Sequence, residues 1–420
     1  MRYTRVTLLA IGAAIGGFLF GFDTSTMNAA IVGVKDTLSL GSAAVGFLAA
    51  ISLIGCAVGA WFAGPNAARY GRTRVMLVAG LIVATGTLAV AVSQTLILIG
   101  ISRFVTGIGI GAASAVVPGY ITEIAPTEIR GRLGSFWQFA IVTGQLGGLL
   151  SGYLLTRRAG AESAPLAWGG AAWRWMFVVS AVPAAIWVLI VSALPPTDQD
   201  VSSRRGKLSD LRGPRLGLQA IVWTGILLAV FQQLEGISVV KTYSNTIWQA
   251  VGFAATHAFT ISMITVGISI LSTVVAIVIV DRVGRRTMLS VGAAVMTVAL
   301  AGLAFCFATA RQNGEVLSLS HAAGMGALVA MNVFAIAFGV TWGPVMWLML
   351  NELFDTRLRT TAVALCTAIN WLANWLVVRT FPMIAGISLG LSYALFAAFA
   401  ALAFLFAWRV LPETRGRSLE

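Results

Sequence analysis

The chain has 420 residues, of which 58% are hydrophobic and only 10% are charged, and its formal net charge is +13. This composition excludes an ordinary soluble globular protein and predicts an integral membrane protein. The apolar runs have the length of membrane helices, whereas a β-barrel would show short alternating segments, so we expect an α-helical bundle.

Charged and glycine- or proline-rich interruptions divide the chain into apolar segments. Twelve are expected, at roughly 7–33, 43–64, 75–93, 96–121, 132–155, 173–194, 217–249, 257–280, 287–309, 322–350, 360–385 and 389–410. With both termini on one side, 20 of the 28 Lys and Arg residues gather on that side. The positive-inside rule makes this side cytoplasmic, so the basic charge marks membrane topology and does not indicate nucleic-acid binding. We expect a multi-pass protein of the plasma membrane with both termini in the cytoplasm.

The first predicted span contains an aspartate, Asp23, in the stretch GFLFGFDTST. An ionisable side chain near the bilayer centre costs about 2.5–3.5 kcal/mol on insertion scales, so it needs a partner or a function. Arg103, near the start of the fourth span, is the natural partner. The pair is then either structural or a coupling device, in which Asp23 is ionised beside Arg103 and takes up a proton when the two separate.

Three elements of the first half recur in the same order in the second half. RYGRTR (69–74) corresponds to DRVGRR (281–286), EIAPTEIR (123–130) to ELFDTRLR (352–359), and LPPT (194–197) to LPET (411–414). The recurrence predicts an N-terminal six-helix bundle over 1–197, a cytoplasmic linker over 198–216 and a C-terminal six-helix bundle over 217–420. Transporters built from such repeats hold the substrate between the halves and expose it alternately to the two sides.

The repeated loops bring acids and arginines to the predicted cytoplasmic helix ends. Charge-assisted contacts between them would close that side and would have to break when it opens. Ala68 stands where the second half has Asp281, so we expect a weaker latch in the first half and a bias toward the inward-open form. The predicted latch residues are Arg72, Glu123, Arg130, Asp281, Arg285, Glu352 and Arg359.

Nine stretches, in the correct order, carry a resemblance to a known family. They are GFLFGFDTS, RFVTGIGIGAAS, YITEIAPTEIRGRLGSFWQFAIVTGQ, WRWMF, FQQLEGIS, DRVGRR, WGPVMWLMLNELF, NWLANW and LPETRGRSLE. On these stretches the chain resembles the sugar porter branch of the major facilitator superfamily over nearly its whole length. The resemblance implies twelve transmembrane helices in two pseudo-symmetric six-helix bundles around a central cavity. It also implies import of a monosaccharide or related polyol by proton symport, because the symporting members carry the aspartate of the first span paired with that arginine. We expect a monomer without a cofactor.

The resemblance also implies a set of sugar-contacting residues. They are Phe20, Gln138, Gln145, Gln232, Gln233, Gly343, Trp347, Asn370 and Trp371. Their chemistry suits the ligand, because carboxamides both donate and accept hydrogen bonds and aromatic rings cover the apolar face of a sugar. Hydrogen bonding between helices is the alternative role for the glutamines and asparagine.

The chain departs from the family pattern at several positions around this site. Ser238, which we include among the substrate-binding residues, and Ser269 replace asparagines, and Lys241 replaces an apolar residue. Glu235 follows the glutamine pair and has three open roles: an ion pair with Lys241, contact with a ligand cation or amino group, or a second proton site.

Four other functions were weighed. Asp23 argues against a proton-independent facilitator, and the pair Gln232–Gln233 argues against a drug–proton antiporter. A non-transporting nutrient sensor would be expected to carry a long signalling tail. An enzyme is not expected, because no nucleophile, metal or phosphate-binding constellation is present in the sequence.

Overall fold

The computed structural model describes residues 2–196, 208–214, 216–250, 255–313 and 316–416. Twelve membrane spans lie within these residues, which confirms the predicted all-helical membrane fold. Of the predicted linker, residues 198–207 and 215 lie outside the described part. The helices are α1 (Arg2–Leu38), α2 (Ser42–Tyr70), α3 (Arg72–Val92), α4 (Leu96–Ile124), α5 (Arg130–Ala159), α6 (Ala172–Ser192), α7 (Ala220–Leu234), α8 (Ile237–Ala250), α9 (Ala255–Val283), α10 (Arg285–Ala308), α11 (His321–Val340), α12 (Trp342–Glu352), α13 (Thr356–Ile387) and α14 (Leu389–Arg409).

The remaining regular structure is small. A 3₁₀ helix spans Leu208–Leu211, and the strands β1 (Arg311–Asn313) and β2 (Val316–Ser318) form an antiparallel pair between α10 and α11.

The predicted spans over 217–249 and 322–350 are present, but each is interrupted, which hydropathy did not predict. The seventh span divides into α7 and α8 at Gly236, whose φ of +85° is a left-handed conformation that suits glycine and ends a helix. The tenth span divides into α11 and α12 at Thr341, with φ −121° and ψ −86°. Pro344 then falls in the first turn of α12, where its missing N–H leaves no helical bond unmade.

Glycines allow the helices of the first half to pack at backbone distance. α1 lies along α5 and α2 lies along α4. A Cβ on Gly21 would overlap the carbonyl oxygen of Ile141, and one on Gly111 would overlap that of Cys56. The GIGIG stretch in the fourth span is therefore a packing surface for α2 and α3, as small residues in membrane helices commonly are.

The most extensive contacts between the halves are those of α2 with α13 and of α5 with α9. The internal repeat relates the two pairs to each other. Span two (α2) corresponds to span eight (α9), and span five (α5) corresponds to span eleven (α13). At the end of the bundle that carries the 70–72 and 283–285 loops, here called the basic face, the halves are in close contact. A Cβ on Gly64 would lie 2.6 Å from the Cβ of Ala364.

Candidate functional site

A cavity of about 400 Å³ lies between the halves, on the side away from the basic face. Helices α1, α2, α4 and α5 of the first half and α8 and α13 of the second half line it. It extends from Phe20, near the middle of α1, to Lys35, close to the end of that helix. Its volume falls within the range of small-molecule sites in proteins.

A cluster of carboxamides is buried where α7, α8 and α13 meet. Gln233 Nε2 donates to Asn370 Oδ1 at 3.2 Å, and Asn370 Nδ2 donates to Gln232 Oε1 at 3.0 Å. Ser238 Oγ, at the start of α8 and on the cavity wall, donates to Gln233 Oε1 at 2.7 Å. The amides thus satisfy one another across helices, and each could exchange a partner for a sugar hydroxyl.

Helix breaks are part of this arrangement. Gln232 Nε2 donates to the carbonyl oxygen of Trp342, the first residue after the break in the tenth span, at 3.2 Å. The side chain from one interrupted span therefore fixes the backbone of the other. Discontinuous helices beside a cavity are a recurrent feature of transporter binding sites.

The first half supplies two glutamines from α5. Gln138 is buried, and a Cβ on Gly343 of α12 would lie 3.2 Å from its Cδ, so the halves touch at this point. Gln145 lines the cavity and makes no hydrogen bond to a described residue. Its amide is therefore free to bind a ligand.

Aromatic side chains of both halves meet beside the amides. The ring of Phe20 meets Trp371 edge-on, with centroids 4.9 Å apart, and Trp371 Nε1 donates to Ser114 Oγ at 2.9 Å. Trp347 meets Trp137 at 6.3 Å and 72°. Edge-to-face contacts of this kind stabilise the pairing of rings beyond their burial.

Asp23 and Arg103 are in direct contact on the cavity wall. Nη1 of Arg103 donates to both carboxylate oxygens, at 2.6 and 2.8 Å, and Nη2 donates to Ser52 Oγ at 3.0 Å. Both side chains are only 3% exposed. The pairing proposed from sequence is present, while its role in proton coupling stays a prediction.

At the basic face, the repeat produces one equivalent ion pair in each half. Arg72, at the start of α3, pairs with Glu123 at the end of α4, and Arg285, at the start of α10, pairs with Glu352 at the end of α12 at 3.0 Å. Arg72 also reaches across to Thr360 Oγ1 at 3.4 Å.

Asp281 also makes a contact that crosses between the halves at this face. Its oxygens accept the backbone N–H groups of Gly131 and Arg132, at 3.1 and 3.0 Å, at the beginning of α5. Ala68 offers no carboxylate for the equivalent contact in the first half. The basic face is closed in this structure, so the expected bias toward the inward-open form, which concerns populations, stays a prediction.

The last two predicted latch residues are placed differently. Arg130 is buried at the start of α5. Arg359 is also buried, donates to the carbonyl oxygen of Phe354 at 3.2 Å and forms no ion pair with a described acid.

The structure locates two of the residues whose roles the sequence left open. Glu235 ends α7, is fully buried, and its oxygens have no hydrogen-bond partner among the described residues. It forms no ion pair with Lys241, so that reading of Glu235 is not realised here. Ser269 lines a narrow crevice of about 40 Å³ beside the main cavity, and its hydroxyl donates to the carbonyl oxygen of Thr265 at 2.9 Å.

Sequence reasoning missed several polar residues of the cavity. Asn28 and Asn374 line it. Asn374 follows Asn370 by four residues in NWLANW, so helical spacing was the available signal. Ser52 and Ser114, which hold Arg103 and Trp371, carried no such signal because isolated serines are common in membrane helices.

A cavity between two six-helix bundles, closed at one end and with a buried ion pair on its wall, is the arrangement of a transporter of the major facilitator type. The family model described as "Sugar (and other) transporter" matches residues 9–199 and 205–420. The chain belongs to this sugar transporter family and is an integral, multi-pass membrane protein of the plasma membrane, not an enzyme.

The relatives are similar over nearly their whole length. The glucose transport protein of Synechocystis sp. is 36% identical, covering 99% of this chain and 96% of the relative. The arabinose-proton symporter of Bacillus subtilis is 31% identical, covering 99% and 94%. A solved structure of the proton:xylose symporter XylE bound to 6-bromo-6-deoxy-D-glucose matches with a TM-score of 0.87 at 28% identity, covering 100% of this chain and 98% of that one.

Proposed function

We propose that the protein imports a monosaccharide or related polyol together with a proton, by alternating access between the two halves. The observation that carries the proposal is the buried Asp23–Arg103 pair on the wall of a cavity bordered by carboxamides and aromatic rings. Relatives named as proton symporters of arabinose and xylose support the same reading.

The proton site and the sugar site share one helix. Phe20 and Asp23 are three residues apart on α1, so both lie on the cavity side of that helix, about one turn apart. Because Phe20 contacts Trp371 of the second half, a shift of α1 changes the position of one ring of this aromatic pair against the other. Close packing of α1 on α5 makes Gln145 move with it.

Protonation supplies the energetic link. With Asp23 ionised, its bond to Arg103 holds α1 to α4 in the outward-facing arrangement, with the predicted cytoplasmic side closed. A proton on Asp23 removes one charge of the pair and weakens this contact, so the loaded carrier can rearrange. Sugar and proton then enter together, because occupancy of the cavity and neutralisation of Asp23 favour the same conformational change.

Transport by Asp23→Asn in proteoliposomes tests the proposal. The parent protein should accumulate sugar against its gradient when an inward proton gradient is imposed. The variant should exchange labelled sugar across the membrane but should not accumulate it. Asp36→Asn is the matched control, since Asp36 is an exposed aspartate near the end of the same helix. This variant should accumulate sugar like the parent protein. Undiminished accumulation by Asp23→Asn would reject proton coupling through this residue.

A further inference from the structure

The cavity between the halves is lined by a cationic side chain, Lys241, that the proposed sugar–proton mechanism does not use. Lys241 lies on α8, one turn beyond Ser238, and lines both the cavity and the adjoining crevice. Its ammonium forms no ion pair and donates no hydrogen bond to any described residue. The ring of Phe338, at 5.8 Å, is its nearest recorded electrostatic contact.

The balance of charge around the cavity is positive. The charged residues that line it are Asp23, Lys35, Arg103 and Lys241. Since Arg103 neutralises Asp23, the two lysines leave a net charge of about +2 facing the ligand. Glu235, which lies nearby in sequence, is buried away from the cavity lining and does not compensate Lys241.

The positions of the polar side chains on α8 favour a ligand that carries both hydroxyls and a negative charge. Ser238, Lys241 and Thr242 occupy one face of α8 and all line the cavity. Lys241 is three residues from Ser238, which corresponds to about 4.5 Å along the helix and is comparable with the width of a sugar ring. A ligand whose hydroxyls bind Ser238 and Gln145 would therefore present a substituent at the far side of its ring to Lys241.

We propose that the cavity selects a sugar acid, a monosaccharide with one carboxylate, and that Lys241 binds this carboxylate. The inference rests on the proposed sugar transport and narrows its substrate class. A single ammonium matches a single carboxylate, whereas a sugar phosphate would call for a larger set of cationic and N–H donors.

Two sets of matched sugars test the assignment on purified protein, by calorimetry or thermal shift. D-xylose, D-glucose and D-glucuronate differ only at C5, which carries hydrogen, a hydroxymethyl group or a carboxylate, and L-arabinose, D-galactose and D-galacturonate differ in the same way. In at least one set, the acid should bind about tenfold more tightly than either neutral sugar, as expected for one hydrogen-bonded ion pair.

Variants of the lysine identify the contact. Lys241→Met should abolish the preference for the acid and retain binding of the neutral sugars, and Lys241→Arg should keep the preference. Lys35→Met removes the other cavity lysine, near the end of α1, and should change the ratio by no more than about twofold at physiological salt, where exposed charges are screened. A ratio unchanged by Lys241→Met would overturn the assignment.

Charge balance gives a second, independent readout. One proton and one sugar carboxylate enter with no net charge, whereas one proton with a neutral sugar carries one positive charge inward. Currents across proteoliposomes should accompany transport of the neutral sugars and be absent for the acid. If neutral sugars bind and both acids bind equally or more weakly, only the carboxylate assignment fails. If no sugar of either set binds, the sugar-transport proposal fails and this inference fails with it.

Discussion

The contact of Asp281 with the start of α5 should control how readily the basic face opens. Asp281→Ala removes two hydrogen bonds from backbone N–H groups, at 3.1 and 3.0 Å, that join the second half to the first. The positive end of the α5 dipole adds to this attraction. Because the two halves must separate here during transport, the contact exists only in the closed state and its loss shifts the equilibrium.

The size of the shift follows from the geometry. Hydrogen bonds to a charged group contribute about 1.5–3 kcal/mol each when buried. The Asp281 side chain is 14% exposed, and its contact with Arg285 at 3.2 Å lies within the second half and does not depend on closure. We therefore take about 2 kcal/mol for the two bonds to α5 together. That value corresponds to a roughly 30-fold rise in the ratio of open to closed molecules.

Glu413→Ala is the matched control. At the start of α10, Glu413 likewise accepts two backbone N–H groups, those of Arg285 and Arg286 at 2.9 and 3.2 Å, and it also accepts the N–H groups of the adjacent Thr414 and Arg415. These bonds lie within one half and should persist in every state. The control should therefore lower thermal stability without changing the conformational equilibrium.

Cysteine accessibility provides the assay. After replacement of the three native cysteines, a cysteine at Leu348 reports opening, because that side chain is buried against Gly134 of the other half. Its labelling by a membrane-impermeant maleimide, applied to the side of the basic face, should be faster in Asp281→Ala by about the factor given above. Equal labelling of Asp281→Ala and the parent, or an equal increase in Glu413→Ala, would refute the reasoning.

Three further predictions concern the first-half latch, the close packing and the amide cluster. Ala68→Asp should add the missing contact and slow labelling of the same reporter; an unchanged rate would remove the idea of an asymmetric latch. Gly111→Ala should lower the melting temperature in detergent because its Cβ overlaps the Cys56 carbonyl, whereas Gly267→Ala, with nothing within 4 Å, should melt like the parent. Gln233→Leu should weaken sugar binding by about tenfold or more, since it removes a donor and an acceptor from the cluster, and unaltered affinity in calorimetry would contradict its role.

Sequence reasoning located the twelve spans and made no prediction of the breaks within two of them. Hydropathy finds a membrane helix because each span must satisfy its own backbone hydrogen bonds inside lipid. The interruptions at Gly236 and Thr341 lie beside the cavity and are held by neighbouring helices, such as the bond from Gln232 to Trp342. Such support comes from elsewhere in the chain and leaves only a weak local signal.

The candidate site shows the same division. Residue type and family motif pointed to Gln233, Asn370 and the Asp23–Arg103 pair. The structure places Asp23 and Arg103 on the cavity wall, and it places the two amides behind the wall, joined to it through Ser238. The suggested pairing of Glu235 with Lys241 was not realised. Residues six positions apart do not share a face of a continuous helix. The break at Gly236 leaves Glu235 buried outside the cavity lining and Lys241 on the cavity wall.

The sequence by itself determined the membrane class, the number of spans, the internal repeat and the family, because hydropathy and motif order are properties of the chain read locally. Tertiary structure alone decided that Asp281 bridges the halves at the closed basic face and that the amides bind one another. It also decided that Lys241 lies in the cavity without an ion-pair partner among the described residues. The physical reason is that these features depend on distances between helices far apart in the chain. Glycines let neighbouring helices pack with their backbones in contact, and this packing fixes the distances between the helices.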